Sequence, residues 1–76
     1  MEFLIESLKS AADEEESSKV MGRLADVMRG AEGVEFEQCL LGVNHLLRKG
    51  YTRVFMTYED LMRKMMNHFT KLGRQL

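Results

Sequence analysis

The clearest alternation of apolar and polar positions lies toward the C-terminal end of the chain. Tyr58, Leu61, Met62, Met65, Met66, Phe69 and Leu72 recur at helical spacing. At about 100° per residue they fill one arc roughly 140° wide. Arg63, Lys64, Asn67, Lys71 and Arg74 occupy the other side. Glu59–Arg63 and Asp60–Lys64 are i,i+4 pairs with the acid first, the better orientation. Thr57 reads as the N-cap, with Asp60 at the capping-box position, and Gly73 as the stop. The pattern predicts a helix over 58–72.

A second stripe consists of Phe36, Cys39, Leu40, Val43, Leu46 and Leu47, an arc about 120° wide. Glu35 and Glu37 lie in its first turn and Arg48 and Lys49 in its last, as the helix dipole prefers. Gly50 follows as a C′ residue. This predicts a helix over 35–49. Gly42 inside it costs about 1 kcal/mol of propensity, so it is either tolerated or admits a close neighbour. Leu41 points away from the stripe.

The N-terminal third carries two stripes, Phe3, Leu4, Ile5 and Leu8, then Val20, Met21, Leu24, Val27 and Met28. On one straight helix their faces would differ by roughly 140°. The phase change favours a break at DEEESS, residues 13–18, with Asp13 as N-cap and Glu16 completing a capping box. Helices over 2–12 and 14–29 result. The alternative is one long helix showing different faces to different partners. Residues 51–56, YTRVFM, are the one strand-like run. A lone strand could pair only with a second copy, so the run reads as a connector that drops Val54 and Phe55 into the core. The sum is an all-α bundle of three helices, or four if the first segment splits.

Composition sharpens this picture. The chain has 76 residues, no Pro, one Cys and seven Met, which fits one proline-free helical domain, 1–76, with no internal disulfide and no Cys-based zinc module. A core this small supplies only roughly 3–5 kcal/mol, so self-association into a homodimer is expected. The longest apolar runs are three residues, too short to cross a bilayer. No basic stretch precedes an apolar one at the N-terminus, so a secretory signal is not expected. A single cysteine agrees with a cytoplasmic location.

Net charge is −1 but unevenly spread. Residues 1–38 carry ten acids and four bases, net −6; residues 39–76 carry seven bases and two acids, net +5. Such asymmetry serves a charged interface, head-to-tail matching of two copies, or neutralisation when the chain folds back. The acidic run Asp13–Glu16 reads as a helix start or as a phosphate mimic.

Candidate chemistry is sparse. Cys39, His45 and His68 have no i,i+3 or i,i+4 ligand spacing, so no metal site and no cofactor are expected. No nucleophile motif or phosphate loop occurs, and no catalytic residue is assigned; an enzyme is not expected. Two binding readings follow. In the first, the protein is a non-enzymatic interaction module, a small adaptor, inhibitor, regulator or assembly factor. It would use Leu41, Met62, Met65, Met66 and Phe69, because methionine side chains adapt to varied surfaces. In the second, a nucleic-acid-binding transcriptional regulator uses Arg63, Lys64, Asn67, Lys71 and Arg74, joined by Arg48, Lys49 and Arg53. Asn67 would be suited to adenine. A pI near 6.1 counts against the second.

Overall fold

The computed structural model describes residues 2–75. Its elements are α1 (Glu2–Ser10), α2 (Glu14–Gly30), α3 (Val34–Arg48), α4 (Thr52–Met56) and α5 (Glu59–Gln75). The fold is all-α, and the first segment does split. Four longer helices and the one-turn α4 replace the expected three or four.

The split between α1 and α2 is written in the capping chemistry. Glu16 N–H donates to Asp13 Oδ1 at 2.8 Å, and Ser17 N–H to the Asp13 carbonyl at 3.0 Å. The reciprocal bond differs by one residue from the expected box: Glu16 Oε2 accepts from Ala12 N–H at 2.7 Å. Two donors otherwise left over at a helix start are thereby satisfied. Asp13 and Glu16 are thus structural, while Glu14 and Glu15 stay exposed.

Gly50 ends α3 as expected. Its φ is +85°; its N–H donates to Leu47 O at 3.0 Å, and Tyr51 N–H to Leu46 O at 3.2 Å. That pair of bonds is the Schellman motif, which needs a left-handed residue at C′. Gly42 is buried in the middle of α3. A Cβ there would sit 3.0 Å from Leu24 Cδ2 and 3.2 Å from Leu8 Cδ1. The neighbours that need its bare backbone are therefore leucine side chains of α1 and α2.

The core gathers Leu8 of α1, Met21, Leu24, Ala25 and Met28 of α2, and Phe36, Cys39, Val43 and Leu46 of α3. Val54 and Phe55 of α4 are buried with them, so the run 51–56 does deliver both residues inward, as a helical turn rather than a strand. Ser17 is also fully buried, and its hydroxyl meets no partner among the described residues. A buried hydroxyl left without a partner costs about 1–3 kcal/mol.

α5 differs from the expected 58–72 at both ends. It starts one residue later because Thr57 caps the end of α4: its Oγ1 donates back to Val54 O at 2.8 Å. It runs past Gly73 to Gln75, since glycine lowers helix propensity without forbidding helix. α5 touches α2 and α4. Leu61 is buried and Met62 and Met65 are half-buried against the core, whereas Met66 and Phe69 are exposed.

Candidate interaction face on helix α5

α5 is held to the body by cations as well as by its apolar stripe. Lys64 Nζ donates to the carbonyls of Met28, Arg29 and Ala31 at 2.6, 3.1 and 2.7 Å. These are the carbonyls at and just past the end of α2, where the dipole is negative and backbone donors run short; Met28 O also accepts from Ala31 N–H at 3.3 Å. The same ammonium stands 5.1 Å over the Phe36 ring. Lys49 Nζ does likewise for α1, donating to Leu8 O and Ala11 O at 2.8 Å each. Sequence reasoning placed both lysines on a nucleic-acid face, Lys64 in the main set and Lys49 beside it. The fold instead spends their donors on helix ends. No local pattern could have revealed this, because each clasp joins residues more than thirty positions apart.

Arg29 fixes the start of α5. Its Nε donates to Asp60 Oδ2 and its Nη1 to Asp26 Oδ1, both at 2.9 Å, and its guanidinium lies 5.9 Å from the Tyr58 ring centroid. The hydrogen bond from Arg29, then its charge, holds the Asp60 carboxyl below the usual range, against partial desolvation. The same pair raises the Arg29 guanidinium. Asp60 therefore serves tertiary structure rather than a capping box with Thr57.

Farther along α5, His68 Nε2–H donates to Glu37 Oε1 at 3.1 Å; a carboxylate only accepts, which sets the ring nitrogen that carries the proton. The His68 ring meets Phe36 edge-on at 5.3 Å and Phe69 at 5.8 Å. A cleft of about 520 Å³ opens beside it, between the start of α3 and the second half of α5. Lys64, Asn67, His68, Lys71 and Leu72 line one wall and Glu32, Val34, Phe36 and Glu37 the other. Both signs of charge face this cleft.

Among the candidate partner-binding residues, the structure brings together four of five. Met62, Met65, Met66 and Phe69 form one continuous stripe, and Met66 and Phe69 keep 66% and 53% of their surface exposed. Leu41 stands apart. It is 57% exposed on α3, turned about 140° around that helix from Phe36, the residue that meets α5. Of the nucleic-acid candidates, Arg63, Asn67, Lys71 and Arg74 are exposed and Lys64 is half-buried in its clasp.

Cys39 is fully buried. Burial, then the nearby Glu35 charge, pushes its thiol up, with Lys64 acting weakly the other way. A thiol so placed behaves as a small apolar group. Among the described residues no three His, Cys, Asp or Glu side chains converge to hold a metal ion, and no helix is long and apolar enough to cross a membrane. Comparison with protein-family models, curated proteins and solved structures returns no match.

Proposed function

We propose that this protein is a non-enzymatic helical interaction module that docks a protein partner on the apolar stripe of α5. It would act as a small adaptor, inhibitor or assembly factor. The observation that carries the reading is the outward exposure of Met66 and Phe69 on a helix whose other apolar residues are at least half covered. Exposed large apolar side chains are common singly; a contiguous row of them is a binding surface. Each such side chain, fully covered by a partner, contributes on the order of 1.5–3 kcal/mol. Arg63, Lys71 and Arg74 at the rim would set partner choice and encounter rate. Leu41 would serve as a separate, secondary contact. A sole cysteine held in the core fits a reducing, cytoplasmic compartment.

The test is affinity capture from the source cell with the wild-type chain and with a Met66→Glu, Phe69→Glu double variant. Both substitutions fall at exposed positions, and circular dichroism checks that helicity is kept. The reading expects a protein retained by the wild type and lost from the variant. Identical retention by both chains overturns it.

A second reading keeps Arg63, Asn67 and Arg74, which share one exposed side of α5, as contacts to nucleic acid. Without Lys64 the charge available to it is smaller. Lack of a gel shift on random duplex at micromolar protein near about 50 mM salt removes it, because phosphate contacts are strongest at low salt.

A further inference from the structure

We draw no further inference here: the strongest candidate, the exposed row of Met66 and Phe69 on the outward side of α5, carries nothing beyond the reading above because nothing in the structure shows what covers it.

Discussion

α3 and α5 carry apolar stripes of similar width, yet they end in different situations. α3 lies between α1 and α2 and has Phe36, Cys39, Val43 and Leu46 fully covered. α5 meets the body through Leu61 near its start and His68 farther along, and leaves Met66 and Phe69 in solvent. Hydropathy periodicity is the same signal in both. It reports that a helix has an apolar side; it does not report whether the chain has enough other surface to cover it. With 76 residues this chain covers the centre of the α3 stripe, leaving Leu47 at its edge 39% exposed, and covers less of the α5 stripe.

The comparison breaks most readily at its two phenylalanines. Phe36→Ala should cost about 3–5 kcal/mol of folding stability, since it empties a filled site and strips the contact to His68. Phe69→Ala should change it by no more than about 0.5 kcal/mol. Urea unfolding of dilute protein reads both. Comparable losses would mean that α5 is as deeply built in as α3.

The lysines sharpen it next. Lys64→Met removes the ammonium from the Met28, Arg29 and Ala31 carbonyls at the end of α2 and should cost about 1–3 kcal/mol. Lys71→Met, on the exposed side of the same helix, should leave the unfolding midpoint within error. Equal effects would remove the clasp from the account.

The smallest effect is the acid response at the start of α5. The Asp60 carboxyl is lowered in the folded state, chiefly by the hydrogen bond from Arg29. Its stabilising contribution is then present above the unfolded carboxylate range, near about pH 4, and is lost as pH falls through the lower folded value. Asp60→Asn should flatten that part of the stability profile below about pH 4 and leave the profile above it parallel to wild type. An unchanged acid slope would show that the ion pair is too exposed to count.

What could be read in advance was local. Asp13 and Glu16 sit three residues apart at a change of hydropathy phase, so the break before α2 was legible. Gly50 followed two basic residues and closed α3 as its position suggested. The one-turn α4 was not legible as helix, because Tyr51, Val54 and Phe55 favour strand by intrinsic preference and only burial of Val54 and Phe55 against α2 and α3 decides otherwise. Thr57 was misassigned for a related reason: two helices compete for it, and the earlier one takes its hydroxyl. The methionine stripe was visible as a face, and its division into covered and open halves depends on where α5 leaves the body. The roles of Lys49 and Lys64 depend wholly on tertiary placement.

Those two lysines also tie early parts of the chain to late ones. The end of α1 is finished by a residue that follows α3, and the end of α2 by one in the middle of α5. The spans overlap like links, so a fragment ending before residue 49 lacks the ammonium that closes α1, and one ending before residue 64 lacks that for α2. The N-terminal half of the molecule does not carry what it needs to finish its own helices.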